Sequence, residues 1–430
     1  MTTRLAVLII FIVALLPRIM LVVYSVEEPA YDAKGYDARA ISIWKYRVFG
    51  NDGKPTSCKP PLYSFFLALI YSIFGHSYFA VRIIQSFLGA LSCIIIYFIA
   101  LKLIDKNAAL VSGLLAAINF SFIKSSEHLL SEALSTFLIS LIILSLISLN
   151  LKPIFYKRIW VGFLAGLTVL TRSEMVFFLP FLYLAWLCLL CLNKRYSIRV
   201  FIKDALQTLL VFFIVISLWT FRNWQVHHTF VPLTTAVGIN LYSSYCPPEG
   251  KIFGLTAEDQ IVKLSCSLNN EVEESKFLTR EAFKFIRNNL DKLPRLEFSK
   301  FAFFWSIFDW EIIGNGVYNF SYGFMLPFFI WGILAGIRKW QKYFLLYLPI
   351  LYFQIMALLL YGSPRFRIPC EPFIIIFSSI GIMLFFQKFS KKIIPGALLA
   401  IFLLLNVSAY FYSPLLKDYL KCALLRIGIW

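Results

Sequence analysis

The sequence predicts an all-α polytopic membrane protein with about eleven transmembrane helices. Apolar residues make up 60% of the 430 residues and charged residues 15%, whereas a soluble domain has about 25% charged residues. Apolar stretches of roughly 18 residues recur along the chain, and this length suits a helix that crosses a hydrocarbon core ~30 Å thick. The alternating ten-residue pattern typical of a membrane β-barrel does not occur.

The predicted spans follow the apolar stretches in chain order. We expect the first, 5–24, to be retained as a helix, because no small-residue cleavage site follows it. The full set of predicted spans is 5–24, 79–101, 107–123, 128–149, 159–171, 175–192, 204–221, 319–337, 343–361, 372–387 and 393–411.

The segment 61–75 is apolar but short, and the distribution of basic residues indicates its placement. If it lies in the membrane interface, the cytoplasmic turns hold sixteen Lys and Arg residues with only Asp105 among them, as the positive-inside rule favours. If it spans, the turns from Lys102 onward move outside. We therefore predict an interfacial helix at 61–75, a cytoplasmic N-terminus and an outward C-terminus. The net charge of +18 is then an orientation signal and not a nucleic-acid-binding face.

Three parts follow from this topology. We expect a membrane module at 1–221 with a first outer loop at 25–78, an outer segment at 222–318, and C-terminal helices with a short outer tail at 319–430. Within the outer segment, 271–290 is predicted to be an amphipathic helix near the membrane surface. Cys246 and Cys266 also lie in the outer segment, where disulfides are permitted. A bridge between them and two free thiols are equally weighted alternatives.

Polar residues, most of them ionisable, gather at the predicted outer ends of the spans. Each one alone is readily explained as a helix cap or a snorkelling side chain. As a set they differ from the cytoplasmic turns, because they combine acidic residues with arginines, and ionisable residues at membrane depth are functional candidates. Several cations around one or two carboxylates suit a phosphate-bearing substrate and a general base. The set comprises Asp32, Asp37, Lys59, Glu127, His128, Glu132, Arg172, Glu174, Arg222, Asn223, Arg365 and Arg367.

Six stretches of the chain have a familiar pattern. The first, YDAKGYDARAISIW at 31–44, places Asp32, Tyr36 and Ala40 at intervals of four. The others are CKPPLYSFFLALIYSIFGHSYFAVRIIQ (58–85), HLLSEALSTF (128–137), LTVLTRSEMVFFLP (167–180), LWTFRNWQVHHTFVPLTTAVGINLY (218–242) and SPRFRIPCEPFIII (363–376). In this order they resemble the GT-C membrane glycosyltransferases, in particular the dolichyl-phosphate-mannose–protein mannosyltransferase-like group, which includes the lipid A aminoarabinose transferases.

The resemblance implies roles for particular residues. Asp32 matches the catalytic carboxylate that follows the first span. A second acid follows directly in many relatives, but Ala33 stands there in this chain. Asp37 is then either a substitute for that acid or a residue that caps the helix or pairs with Lys34 or Arg39. Tyr36 lies in the same stretch as Asp32 and is a further candidate for the site.

The cationic residues of these stretches have matches in the same family. Lys59 matches a lysine that contacts the carrier phosphate, and Cys58 replaces the glutamate that precedes it in the aminoarabinose enzymes. Arg222, Asn223, Arg365 and Arg367 match recurring outer-face positions. Lys59 with Arg365 or Arg367 is expected to bind the donor phosphate.

The function expected from this resemblance is inverting transfer of a sugar. The donor is a polyprenyl-phosphate sugar, undecaprenyl-linked in a bacterium, and the acceptor is a hydroxyl of a glycolipid, lipid A or a protein. The site would face the periplasm from the bacterial inner membrane. No nucleic-acid partner and no cofactor is assigned, and the sequence gives no support to a divalent metal. A transporter or flippase, a polysaccharide polymerase or ligase, and a catalytically silent subunit are the alternatives.

Overall fold

The structure is a computed structural model that describes residues 2–25, 27–151, 155–193, 198–247, 259–268, 270–309, 317–388 and 393–412. The predicted outer tail beyond residue 412 lies outside these residues. So do five of the predicted cytoplasmic basic residues, which are Lys152, Lys194, Arg195, Lys391 and Lys392.

The described chain is mostly helical, with two very short antiparallel strand pairs. The elements in chain order are α1 Thr3–Tyr24, α2 Asp32–Tyr46, β1 Gly50–Asn51, β2 Lys54–Pro55, α3 Leu62–Phe74, α4 Tyr78–Leu103, α5 Lys106–Ala117, α6 Phe120–Lys124, α7 Glu132–Leu151, α8 Phe155–Thr171, α9 Phe178–Asn193, α10 Ile198–His227, α11 Val237–Tyr245, α12 Gln260–Cys266, α13 Glu271–Asn288, α14 Leu293–Phe304, β3 Phe308–Asp309, β4 Val317–Tyr318, α15 Phe320–Ile337, α16 Trp340–Leu359, α17 Pro364–Arg367, α18 Glu371–Lys388 and α19 Ile393–Phe411. Short 3₁₀ helices at Ser173–Phe177 and Ile368–Cys370 precede α9 and α18.

Seven helices in the described part of the chain are long and apolar enough to cross a membrane. They confirm the prediction of an all-helical integral membrane protein. They belong to α1, α4, α7, α10, α15, α16 and α18. The four other predicted spans also fall on helices, which are α5, α8, α9 and α19. The total of eleven spans stays a prediction.

The helix at the ambiguous segment is short. α3 has 13 residues, which is about 20 Å of helix against a hydrocarbon core of ~30 Å. It packs on α2 through Tyr63, Leu67 and Tyr71, all fully buried. Its length fits the predicted interfacial helix, and its contacts place it against the helix that begins at Asp32.

Glycines allow close approach between the membrane helices. α15 and α18 meet at Gly332 and Gly381, where an added Cβ atom would lie 1.9 Å from the Phe377 carbonyl and 2.0 Å from the Phe328 carbonyl. Small residues at helix interfaces let backbones pack closely in membranes, where dispersion contacts take the place of a hydrophobic driving force. A similar approach joins α8 to α10 at Gly162.

The outer segment contains α11 to α14. α11 packs on α13, and α13 forms where the amphipathic helix was predicted. Leu278 and Ala282 are its fully buried positions, whereas Phe283 is 60% exposed. Cys246 and Cys266 are both free thiols, so the structure does not contain the bridge considered from the sequence.

Candidate active site

Six charged side chains form a continuous chain of alternating sign, which we call the ion chain. Lys59 Nζ lies 2.8 Å from Asp32 Oδ1, and Arg365 NH1 lies 3.0 Å from Asp32 Oδ2. Arg365 Nε then contacts Glu132 Oε1 at 2.6 Å. Arg172 continues the chain, with NH1 3.4 Å from Glu132 Oε1 and Nε 2.6 Å from Glu174 Oε1. The ion chain therefore joins five separate stretches of sequence.

Helix ends place the carboxylates of the ion chain. Asp32 is the first residue of α2 and Glu132 the first residue of α7. Backbone N–H groups that lack a helical partner give the first turn a partial positive charge, which favours acidic side chains there. On the other side, Ser363 caps α17 and thereby holds the short turn that carries Arg365.

Glu132 is the buried centre of the ion chain. Its side chain is fully buried, and a buried charge is costly unless it is paired. It contacts two arginines, Arg365 and Arg172. Arg172 also stacks over the Phe366 ring at 4.9 Å. Glu132 thus fixes both guanidinium groups in position, and it is not itself among the residues that line the cavity described next.

Five of the six members of the ion chain line one cavity of 250 Å³. Polar and aromatic side chains complete its wall. The additional lining residues are Tyr36, Cys58, Pro60, Ser131, Thr171, Ser173, Thr234, Ala236, Asn240, Leu360, Tyr361 and Phe366. The cavity therefore offers three cations, two carboxylates and several hydroxyl groups to one ligand, as expected of a site for a polar substrate with a phosphate.

The charge state of the reacting end follows from its ion pairs. Burial alone would raise the pKa of Asp32, but the adjacent charges of Lys59 and Arg365 outweigh it and hold that pKa well below its usual value. Burial would lower the pKa of Lys59, but Tyr36 and Asp32 raise it overall. Both groups are therefore ionised near neutral pH. Burial raises the pKa of Tyr36, so its phenol stays a hydrogen-bond donor.

The loop that carries Lys59 is held by residues from the outer segment and from α10. The Ser57 N–H and the Thr56 hydroxyl both donate to the carboxylate of Glu271, the N–H at 2.9 Å. Arg222 NH1 donates to the Thr56 carbonyl and to Ser57 Oγ, each at 2.9 Å. Ser57 Oγ in turn donates to Asn223 Oδ1 at 2.8 Å.

Arg222 and Asn223, predicted as candidate outer-face residues, therefore lie behind the cavity. They contact the 56–57 backbone and side chains, and neither lines the cavity. His227 Nε2 also lies 2.9 Å from Ser57 Oγ. These residues position the loop that ends at Lys59.

The loop that carries Arg365 is held by the same outer segment. Ser244 in α11 donates to the Leu360 carbonyl, and the Tyr361 hydroxyl lies 3.3 Å from Asn240 Oδ1. An added Cβ at Gly362 would lie 2.0 Å from the Lys300 carbonyl of α14, so only glycine fits this close approach. The outer segment thus contacts both loops that supply cations to Asp32.

Asp37 does not line the cavity, so the structure does not bring this possible second acid to the side of Asp32. It is buried on another side of α2. Its carboxylate accepts from the Tyr71 hydroxyl at 2.6 Å and the Tyr78 hydroxyl at 2.9 Å, and it lies 3.0 Å from His76 Nε2. These contacts tie α2 to α3 and α4. The expected pairing with Lys34 or Arg39 is also not found.

Arg367 does not reach the cavity either, so the structure does not place this predicted phosphate ligand beside Lys59 and Arg365. It is 1% exposed and pairs with Glu371 at 3.3 Å. Its NH1 group donates to the carbonyls of Phe304 at 2.6 Å and Ser306 at 3.0 Å. Arg367 therefore joins α14 to α18 inside the protein.

In the part of the chain that the structure describes, one group of side chains outside the cavity has the donor types of a metal site. Glu27, Glu127 and His128 place their ligand atoms within 4.8 Å of one another. Lys124 lies 2.6 Å from Glu127 and 3.8 Å from Glu27, so an ammonium group already compensates part of the negative charge of these carboxylates. The predicted candidate His128 belongs to this group and does not line the cavity.

Several lining residues were not identified from the sequence. Tyr361, Phe366, Asn240 and Ser173 carry no charge, whereas the sequence pattern that indicates the site consists mainly of charged residues. Glu271 was assigned to an amphipathic surface helix. Its contacts with Thr56 and Ser57 span more than 200 positions of the chain. The sequence around Glu271 therefore does not indicate them.

Comparisons with known proteins agree with this architecture. Residues 58–221 match the family model of dolichyl-phosphate-mannose-protein mannosyltransferase. An uncharacterized protein of Aquifex aeolicus (strain VF5) is 29% identical over 173 residues, which are 39% of this chain and 33% of that protein.

Solved structures with a similar arrangement of helices include oligosaccharyltransferase AglB from Archaeoglobus fulgidus, in complex with an inhibitory peptide and a dolichol-phosphate. It has a TM-score of 0.56 at 15% identity over 95% of this chain and 54% of that chain. ArnT from Cupriavidus metallidurans, bound to undecaprenyl phosphate, gives a TM-score of 0.43 at 10% identity over 89% of this chain and 79% of that chain. This chain spans about half the length of the archaeal protein.

These findings confirm the resemblance inferred from the six sequence stretches. The family match begins at Cys58 and includes Lys59, Glu132, Arg172 and Glu174. The protein is therefore an integral membrane protein with a fold of GT-C type, and its residues 58–221 match the family model of dolichyl-phosphate-mannose-protein mannosyltransferase.

Proposed function

We propose that the protein is an inverting glycosyltransferase that moves a sugar from a polyprenyl-phosphate donor to a hydroxyl acceptor at the outer face of the membrane. The observation that carries the proposal is the position of the Asp32 carboxylate between Lys59 and Arg365 in one cavity. A carboxylate next to two cations supplies a base and a phosphate site together. The match of residues 58–221 to a family named for a lipid-phosphate sugar donor supports it.

The first step assigns the phosphate to the two cations. Lys59 and Arg365 supply charge-assisted donors, which suit phosphate oxygens. As a phosphate oxygen binds them, it competes with Asp32 for the same donors and frees the carboxylate. Donor binding therefore converts an ion-paired carboxylate into an available base.

The second step is the displacement. The acceptor oxygen attacks the anomeric carbon, a new C–O bond forms, and the bond from that carbon to the phosphate oxygen breaks. The electron pair leaves with the polyprenyl phosphate, and Asp32 takes the proton of the acceptor hydroxyl. Lys59 and Arg365 stabilise the charge that grows on the phosphate. Attack opposite the leaving group inverts the anomeric centre.

The proposed chemistry requires two partners, a lipid-linked sugar donor and a hydroxyl acceptor. The archaeal structure with this fold was solved with a dolichol-phosphate and a peptide, which supports a lipid-linked donor. We propose undecaprenyl phosphate as carrier in a bacterial inner membrane, with the cavity facing the periplasm and the N-terminus in the cytoplasm. A glycolipid, lipid A or a protein hydroxyl is the acceptor.

The experiment is a transfer assay with purified protein in nanodiscs. Radiolabelled polyprenyl-phosphate sugars are supplied with envelope extract, and the label is followed into lipid, protein and glycan fractions. We expect label to leave the carrier with wild type and not with Asp32→Asn, and the labelled fraction identifies the acceptor class. If wild type consumes no donor from a broad panel but moves the lipid-linked sugar between leaflets of vesicles, the flippase alternative is correct.

A further inference from the structure

The end of the ion chain furthest from Lys59 lines the same cavity as the reacting groups. Glu174 is the last member of the chain, and its side chain is 18% exposed. Ser173, Asn240 and Tyr361 line the cavity beside it. Neither the phosphate nor the transferred proton needs these residues, so the mechanism leaves this wall without a role.

Glu174 is held rigidly enough to select a ligand. Arg172 Nε donates to its Oε1 at 2.6 Å, and Arg172 is itself fixed by Glu132 and by the Phe366 ring. The Tyr352 hydroxyl donates to the Glu174 carbonyl. No other described side chain hydrogen-bonds the second carboxylate oxygen, Oε2. A preorganised acceptor of this kind discriminates between ligands because its position does not adapt to the wrong one.

The neighbouring groups complement a polyhydroxylated ring. Asn240 uses its Oδ1 atom toward Tyr361, which leaves its amide hydrogens as donors. The Tyr361 and Phe366 rings stack at 5.3 Å and form an aromatic part of the wall. Apolar faces with a few fixed polar groups are the usual composition of a small-molecule site.

We propose that Glu174, Ser173 and Asn240 form the subsite for the donor sugar, and that the Glu174 carboxylate selects sugars without a negative charge of their own. This inference rests on the proposed function. A carboxylate accepts hydrogen bonds from sugar hydroxyls or from an ammonium group. It repels a sugar carboxylate, because like charges at close range are strongly unfavourable where water is excluded.

Binding without acceptor tests the subsite separately from transfer. Three ligands compete with a fluorescent polyprenyl phosphate for protein in nanodiscs: unlabelled polyprenyl phosphate, polyprenyl-phosphoryl hexose and the matching polyprenyl-phosphoryl hexuronate. Wild type should prefer the hexose to the hexuronate. Glu174→Gln should weaken binding of the polyprenyl-phosphoryl hexose about 10- to 100-fold, as expected for a lost hydrogen bond to a charged group. The affinity for unlabelled polyprenyl phosphate should stay unchanged.

Two further variants keep the test decisive. Asn240→Ala should also weaken binding of the polyprenyl-phosphoryl hexose and leave the affinity for polyprenyl phosphate unchanged. Glu273→Gln is the control, since Glu273 is exposed and contacts Lys276 on the surface of α13.

Three outcomes contradict the subsite: Glu174→Gln weakens all three ligands equally, it weakens none, or wild type binds hexose and hexuronate alike. These outcomes leave the proposed function intact. If wild type binds none of the three ligands, the proposed function itself fails.

Discussion

Asp32 Oδ2 lies 3.0 Å from the NH1 nitrogen of Arg365, although 333 positions of sequence separate the two residues. Lys59 holds the other oxygen of the same carboxylate at 2.8 Å. The base of the proposed reaction and the phosphate of its donor thus compete for the same two cations.

Arg365 and Arg367 should respond differently to substitution. Arg365→Gln removes a phosphate ligand and should weaken donor binding about 10- to 100-fold. Arg367→Met leaves the buried Glu371 without its cationic partner and should cost about 3–5 kcal/mol of stability with little effect on donor affinity of the folded fraction. Thermal unfolding and donor binding, measured on both variants, separate the two roles. Equal effects on donor affinity would contradict the assignment.

The pH dependence of transfer should report the ion pairs of Asp32. Because its pKa is held well below the usual value of about 3.9, wild-type kcat/KM should show no acid limb from Asp32 near neutral pH. Lys59→Met or Arg365→Gln should raise that pKa and move the acid limb upward. An unchanged profile in both variants would show that these cations do not act on Asp32.

The pH dependence of folding stability should also reflect the lowered pKa of Asp32. The folded-state pKa of Asp32 is lowered, so its ion pairs stabilise the fold above the unfolded-state pKa of about 3.9. This contribution is lost as the pH falls toward the folded-state pKa. Acid unfolding of Asp32→Asn should accordingly lack that component.

Glu271 should influence donor binding from outside the cavity. Glu271→Ala removes the acceptor of the Ser57 N–H and the Thr56 hydroxyl, so the loop before Lys59 loses part of its support. We expect the KM for donor to rise about tenfold, the equivalent of one hydrogen bond, with kcat less affected. Glu271→Gln, which keeps one carbonyl acceptor, should restore part of the affinity. A fall in kcat alone would contradict this positioning role.

The two outer cysteines should behave as free thiols. Cys246 and Cys266 are not bonded, and burial with Asp259 and Glu281 nearby raises the pKa of the Cys246 thiol to about 12. The thiolate is the reactive form, so Cys246 should alkylate more slowly than the exposed Cys266. Non-reducing gels of wild type and Cys246→Ser should show the same mobility. A mobility shift on non-reducing gels that is seen in wild type and lost in Cys246→Ser would show that the disulfide forms.

The helical framework was predictable because a membrane helix satisfies its backbone hydrogen bonds within its own segment. Each apolar stretch between basic turns became a helix, and the short α3 agrees with the assignment made from charge distribution. The packing of α15 on α18 through Gly332 and Gly381 was not predicted, since it depends on which helices become neighbours.

The site was predictable only in part, and helix geometry gives the reason. Asp32 and Tyr36 share a face of α2 and both line the cavity, whereas Asp37, five residues from Asp32, points about 140° away at 100° per residue. Arg365 and Arg367 are two residues apart in a helical turn and face different surroundings. Sequence proximity alone could not separate these pairs before the helices were placed.

The measurement that tests the account most directly compares Asp32→Asn with Asp37→Asn for binding and single turnover of a polyprenyl-phosphate sugar. Asp32→Asn should lose transfer by roughly 10²–10⁴-fold and yet bind polyprenyl phosphate about tenfold more tightly, because a competitor for Lys59 and Arg365 is gone. Asp37→Asn should lower stability and retain turnover. If Asp32→Asn keeps most of its turnover, or Asp37→Asn alone abolishes it in folded protein, Asp32 is not the base.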